Sequence, residues 1–167
     1  MEQENNFTIE LTTDNKWFSI CAEMMAASDP WKTLGVEYNH CMKAFEGPCK
    51  EVYVATHNNS IAGFAILQVC GSFRGYIQTL FVHKDLRGNG IGTIMLQFCE
   101  KRIVSISPNI FICVSSFNKG AIKLYEEFGF IKVGILSNFV TDGFDEWLLR
   151  KTVGPIAGYL PPDEQAG

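Results

Sequence analysis

The sequence predicts an α/β (α+β) fold with its elements in the order βααβββαβαββ. Three observations carry that expectation. Short apolar runs rich in β-branched and aromatic residues recur along the chain, as strands require. In the second half these runs alternate with stretches whose apolar residues follow a helical period. Turn-forming clusters separate the elements, as at Gly47-Pro48, Asn58-Asn59 and Thr141-Asp142-Gly143. A chain of 167 residues is normally one domain with room for a sizeable core. We assign that domain to residues 1–153. Residues 154–167 carry three prolines and are expected to form an irregular C-terminal tail.

Each element has its own signal. Phe7 to Leu11 alternates and reads as a short strand. Asp14 can cap a helix whose apolar stripe is Trp17, Ile20, Cys21, Met24 and Met25. Pro30 interrupts, and a second helix is expected from Thr33 to Phe45. Glu51 to Thr56 and Ile61 to Val69 read as a hairpin turning at Asn58-Asn59. Tyr76 to Val82 is the next strand. Gly90 to about Ile106 reads as a helix with Ile91, Ile94, Met95, Phe98 and Cys99 inward. Ile110 to Val114 is a strand, Asn118 to Phe128 a helix and Phe130 to Leu136 a strand. Phe144 to Arg150 closes the order after the Thr141-Asp142-Gly143 turn.

Composition narrows the function classes. Apolar residues at 47% and charged residues at 19% describe a soluble globular protein. Fourteen basic against 18 acidic residues give a formal net charge of −4, which argues against an extended nucleic-acid surface. No apolar stretch approaches the roughly 20 residues that cross a bilayer, so no membrane partner is expected. The six cysteines (21, 41, 49, 70, 99 and 113) include no pair two or three residues apart, and the three histidines are scattered. Neither a zinc site nor a redox pair is signalled. Without a secretory apolar run at the start, the expectation is six reduced thiols in the cytoplasm.

The most informative stretch is Leu80-Phe81-Val82-His83-Lys84-Asp85-Leu86-Arg87-Gly88-Asn89-Gly90-Ile91-Gly92, where an apolar strand ends in a glycine-spaced loop that opens a helix. Glycines at alternate positions let the backbone approach a ligand closely. The first N–H groups of the helix lack helical partners, and the helix dipole points its positive end at them. Phosphate or pyrophosphate suits such a place. The dinucleotide pattern Gly-x-Gly-x-x-Gly fails because Thr93 stands at its third glycine, and the nucleotide P-loop fails because no lysine follows. Lys84, Arg87, Lys119 and Lys123 would form a local basic patch on an acidic chain.

The remaining pattern, Arg87-Gly88-Asn89-Gly90-Ile91-Gly92, reads Arg-x-x-Gly-x-Gly. With the strand before it, it resembles the acetyl-CoA signature of the GNAT (acetyl-CoA-dependent N-acetyltransferase) superfamily. Asn118-Lys119-Gly120-Ala121-Ile122-Lys123-Leu124-Tyr125-Glu126-Glu127-Phe128-Gly129-Phe130 resembles that superfamily's second cofactor-side segment, Asn-x-x-Ala-x-x-Leu-Tyr-x-x-x-Gly-Phe. The resemblance covers residues 51–150 well and the first 50 loosely. It implies a mixed, mostly antiparallel six- to seven-stranded sheet with helices on both faces. Acetyl-CoA is then the cosubstrate, and no metal is needed. Backbone amides at Leu80, Phe81 and Val82 would hold the acetyl group and pantetheine arm. Arg87 and the amides of Gly88, Asn89, Gly90, Ile91, Gly92 and Thr93 would hold the pyrophosphate. Asn118, Ala121 and Tyr125 would meet the cofactor from the second segment, with Tyr125 as the general acid that protonates the leaving thiolate.

The general base is less legible. Many relatives carry glutamate on the strand before the glycine loop, where this chain has Gln78; peptide-directed relatives place one at the position of Cys113. Glu37, Asp85 and Asp142 are the candidates left on flanking loops and helices. A lysine amine of pKa about 10.4 must climb roughly 3 units to react near neutral pH, whereas an α-amine near 7.8 needs about half a unit. The acceptor side would be built by Asp29-Pro30-Trp31, the first two helices and the last hairpin, with Trp31, Tyr38, Phe45, Phe139 and Phe144 as aromatic walls. The leading reading is an acetyltransferase acting on a small-molecule primary amine; the alternatives are a peptide or protein N-terminal acetyltransferase, which Cys113 in place of glutamate weakens, and an acyl-CoA-binding module without catalysis. A homodimer stays open, since dimers are common among relatives.

Overall fold

The computed structural model describes residues 7–165. Seven strands form one sheet: β1 (Phe7–Thr12), β2 (Lys50–His57), β3 (Ser60–Gln68), β4 (Tyr76–Val82), β5 (Asn109–Ser115), β6 (Ile131–Ser137) and β7 (Asp145–Thr152). Their spatial order is β1-β2-β3-β4-β5-β7-β6, and every pairing is antiparallel except β4 with β5. Helices α1 (Asn15–Ala26) and α2 (Tyr38–Lys43) join β1 to β2. Helix α3 (Ile91–Val104) joins β4 to β5, and α4 (Lys119–Phe128) joins β5 to β6. The element order and the mixed, mostly antiparallel sheet are those expected.

Both faces of the middle strands are buried, so two cores form. Val52, Val54, Phe64, Ile66 and Phe81 pack against Cys21, Ala22, Met25, Cys41 and Phe45 of the α1–α2 layer. Tyr53, Ala55, Ala65, Leu67 and Ile77 pack against Ile91, Met95, Leu96, Cys99 and Ile103 of α3 and against α4. That double burial explains why β2 and β3 read as continuous apolar runs. The Arg102 guanidinium donates to both Glu51 carboxylate oxygens, at 2.6 and 2.8 Å, tying α3 to β2. Asp14 caps α1 as expected, accepting from the Lys16 amide at 2.8 Å, and Asn58 and Asn59 turn the β2–β3 hairpin with positive φ.

Three expectations are corrected. The second helix begins at Tyr38 rather than Thr33. Asp29 takes the Thr33 amide and hydroxyl with its carboxylate, and Gly35 adopts φ +68°, so the segment before Val36 closes into turns. On α3, Ile94 faces outward because the stripe centres on Met95, Cys99 and Ile103, one residue and about 100° of helical rotation away. Cys49 and Cys70 form a disulfide, so the six-thiol expectation fails for this pair. Antiparallel pairing of Lys50 with Gln68, closed by the Val69 amide on the Cys49 carbonyl, sets their Cα atoms 5.5 Å apart. A pair brought together across a hairpin has no short-spacing signature.

Gly63 opposes Val82 where β3 pairs with β4. A Cβ there would collide with the Phe81 carbonyl oxygen and lie 2.7 Å from the Met95 sulfur. The backbone atom cannot yield without moving β4. Gly63→Ala is therefore expected to destabilise by about 1–3 kcal/mol, read as a fall in melting temperature of roughly 3–10 °C. An unchanged melting temperature would contradict this packing.

Candidate active site

The site begins with a gap in the sheet. β4 and β5 pair only at Tyr76 with Phe111 and Ile77 with Ile112. Immediately after, the β3–β4 register shifts: Leu67 opposes Ile77 and Ile66 opposes Thr79, leaving Gln78 as an extra residue. Such a bulge bends its strand and redirects the side chains beyond it. Gln78 is anchored there by its Nε2, which donates to the Ala44 carbonyl at 3.2 Å. From Thr79 onward β4 has no β5 partner, so the backbone on that side of Leu80 faces a cleft.

One cavity of about 470 Å³ runs from that cleft to the glycine loop. Gly88 and Gly90 take φ +77° and +78°, conformations that glycine adopts at no steric cost. Gly92 is needed for a different reason, because a Cβ would meet Leu124 Cδ2 at 2.9 Å where α3 and α4 converge. No backbone N–H from Gly88 to Thr93 has a hydrogen-bond partner among the described residues; the first helical bond is Ile94 to Gly90. Six consecutive free donors at a helix N-terminus suit the diphosphate of a coenzyme A molecule. Arg87 holds its place through Nε on the Val82 carbonyl, 3.1 Å away, at the cavity edge.

The cavity gathers most of the residues read from the sequence. Leu80, Phe81, Val82, Arg87, Gly88, Gly90, Gly92, Thr93, Asn118, Ala121 and Tyr125 all line it. Asn89 and Ile91 do not. The Asn89 amide turns back to the Leu86 and Arg87 carbonyls, and the Ile91 side chain enters the core. Of the expected basic patch only Arg87 reaches the cavity: Lys119 bonds the Ser116 carbonyl, Lys123 pairs with Glu127, and Lys84 lies on the short turn after β4.

A second, smaller cavity of about 130 Å³ lies on the other side of the gap. Pro30, Trp31, Leu80, Asn118 and Tyr125 line both, so the two meet at Tyr125. The Tyr125 ring is buried on α4, packed edge-on to Phe130. Its hydroxyl makes no protein hydrogen bond, yet no buried side-chain N or O among the described residues lacks a partner, so the hydroxyl opens into the cavities. Burial pushes its pKa well above the usual tyrosine value, and the phenol stays protonated at neutral pH. Asn118 caps α4 through Oδ1 on the Ala121 amide, leaving Nδ2 free at the junction.

Among the aromatic candidates, Trp31 and Phe139 line the smaller cavity. Phe45 is core, stacked on Phe18; Tyr38 bonds Ser19; Phe144 packs on Phe117. Thr141 on the β6–β7 loop donates to the Leu34 carbonyl at 2.7 Å and so ties that loop to the α1–α2 loop beside the cavity. Glu37, Asp85 and Asp142 are exposed and line neither cavity. Sequence reasoning missed Tyr76, Ser115 and Glu146, which line the smaller cavity with Cys113. The one local signal available for Glu146 was its place at the head of the apolar run Trp147-Leu148-Leu149.

The acetyltransferase (GNAT) family model matches residues 15–130. An N-alpha-acetyltransferase of Saccharolobus solfataricus is 27% identical over 112 residues, a match taking in 59% of this chain and 67% of that protein. Across three curated relatives the matched segment spans 47% to 67% of their length. Among solved structures, the ribosomal-protein-S18-alanine N-acetyltransferase from Escherichia coli superposes with a TM-score of 0.69 at 20% identity, covering 92% of this chain and 98% of that one. A GNAT family acetyltransferase from Elizabethkingia anophelis with acetyl-CoA bound gives a TM-score of 0.67 at 22% identity, covering 90% and 100%. Both structural likenesses concern the fold.

Proposed function

The chain belongs to the acetyltransferase (GNAT) family, whose enzymes draw on acetyl-CoA, and we propose that it transfers the acetyl group to the α-amino group of a peptide by direct attack. The observation that carries this reading is the meeting of two cavities at Tyr125 through the gap between β4 and β5. The diphosphate would dock on the free amides of residues 88–93 beside Arg87, and the pantetheine arm would run along Leu80, Phe81 and Val82. The thioester would then lie at the junction, with the amine entering from the smaller cavity. Unpaired amides of β4 would supply fixed donors to the developing oxyanion. Tyr125 would protonate the departing sulfur, its burial-raised pKa keeping the proton available.

An α-amine is favoured over a lysine side chain for two reasons. Its pKa near 7.8 leaves a large reactive fraction without strong base assistance. The curated relatives are named N-alpha-acetyltransferases. A compact free amine is the second reading, favoured by the 130 Å³ of the smaller cavity.

Two measurements test the proposal. Coenzyme A at a hundredfold its Kd should stabilise the protein by about 2.7 kcal/mol, a rise in melting temperature of roughly 5–10 °C. Gly90→Asp keeps a residue that caps helices and tolerates positive φ but sets a carboxylate against the diphosphate, and should abolish the rise. A panel of short peptides, free amino acids and small amines, assayed for thiol release, should give its highest kcat/KM with peptides. Tyr125→Phe should lower kcat by about two to four orders of magnitude with little change in coenzyme A binding. Equal rates for the two proteins would remove Tyr125 as the acid, and no coenzyme A shift would remove the proposal.

A further inference from the structure

We infer that Glu146 on β7 anchors the acceptor ammonium and takes its proton, supplying the base that the sequence did not show. The inference rests on the proposed acetyl transfer and names the group that prepares the amine for it.

Five observations point to this carboxylate. Glu146 is buried, 5% exposed, and it lines the smaller cavity together with Tyr125. The Ser115 hydroxyl donates to Oε1. Oε2 has no protein partner, and since no buried side-chain oxygen among the described residues is unsatisfied, Oε2 opens into the cavity. No lysine, arginine or histidine lines that cavity, so nothing there neutralises the charge. Register supplies the fifth: Ser115 opposes Glu146 and Cys113 opposes Leu148. Cys113, Ser115 and Glu146 therefore project from one face of the sheet, and the carboxylate stands one pleat along from Cys113 on the neighbouring strand.

A buried carboxylate facing a cavity is costly unless something positive meets it. An incoming ammonium is that partner. Burial raises the Glu146 pKa while the Ser115 hydrogen bond opposes the rise, which brings the carboxyl closer to the amine in proton affinity. The other titratable groups facing it are Tyr76 from β4, Cys113 from β5 and Tyr125 from α4; burial raises all three, so they stay neutral.

The proton count closes. R–NH3+ gives one proton to Glu146, directly or through one water. The freed lone pair forms the C–N bond to the acetyl carbon, and the C–S bond breaks. A second proton passes through the Tyr125 hydroxyl to the sulfur, giving the free thiol. The third stays on the amide, and Glu146 returns its proton to solvent.

The test compares wild type, Glu146→Gln and Ser115→Ala with the best substrate of the amine panel across pH 5–9 (roughly the span over which carboxyl and α-amine titrate). Glu146→Gln is expected to lose roughly a hundredfold or more in kcat, to keep its coenzyme A shift and to show only the substrate amine's own acidic limb. Its melting temperature at neutral pH should not fall. A carboxyl whose folded pKa is raised adds stability at low pH and loses it as pH rises through that pKa, so the neutral amide removes a cost. Ser115→Ala, which loses the hydrogen bond that favours the charged form, should move the acidic limb to higher pH. A Glu146→Gln enzyme within threefold of wild type, with the wild-type limb, would overturn the inference. So would an unmoved limb in Ser115→Ala should the glutamine variant not fold. A wild-type protein that binds coenzyme A yet acetylates no amine would sink the proposed transfer itself, a separate result.

Discussion

The parting of β4 from β5 is the constraint on which the rest depends. Two paired residues hold the strands together at one end, and the Gln78 bulge steers β4 away before a third can pair. A continuous sheet would have consumed the backbone groups of Leu80 and sealed the passage between the two cavities. Instead the sheet stays whole on either flank: β3 carries β4, and β7 carries β5. The opening is therefore framed by paired strands on both sides.

Everything at the site is arranged about that opening. α3 begins beyond the end of β4, and Gly90, Gly92 and Thr93 at its start line the larger cavity. α4 begins just past the end of β5 and brings Asn118 and Tyr125 to the junction. Gly92 lets the two helices approach closely enough to close the far wall. On the opposite side the α1–α2 loop contributes Pro30 and Trp31, held by the Asp29–Thr33 turn and the Thr141–Leu34 bond. Burial then sets the chemistry: it keeps the Tyr125 phenol protonated and raises the Glu146 carboxyl.

Local signals were readable wherever a few neighbouring residues decide the outcome. Asp14 at the start of α1, Asn58-Asn59 in the hairpin and Asn118 before α4 each act through backbone groups two or three residues away. The glycine loop was legible because its positive φ angles and free N–H groups are properties of the backbone itself. Misreadings fell where a second local preference competes with the first. The second helix shortened because Asp29 reaches Thr33, and Ile94 turned outward because the packed stripe centres on its neighbour.

The sequence by itself determined the order of elements and the free donors at the helix start, because each follows from spacing along one segment; the place of Tyr125 rested on the family resemblance. Only the tertiary structure decided which carboxylate lines the smaller cavity and which cysteines join. Glu146 meets Ser115 across 31 residues, and Cys49 meets Cys70 across a hairpin. Strand pairing creates those neighbours, and a pairing partner leaves no mark in the local pattern of either strand.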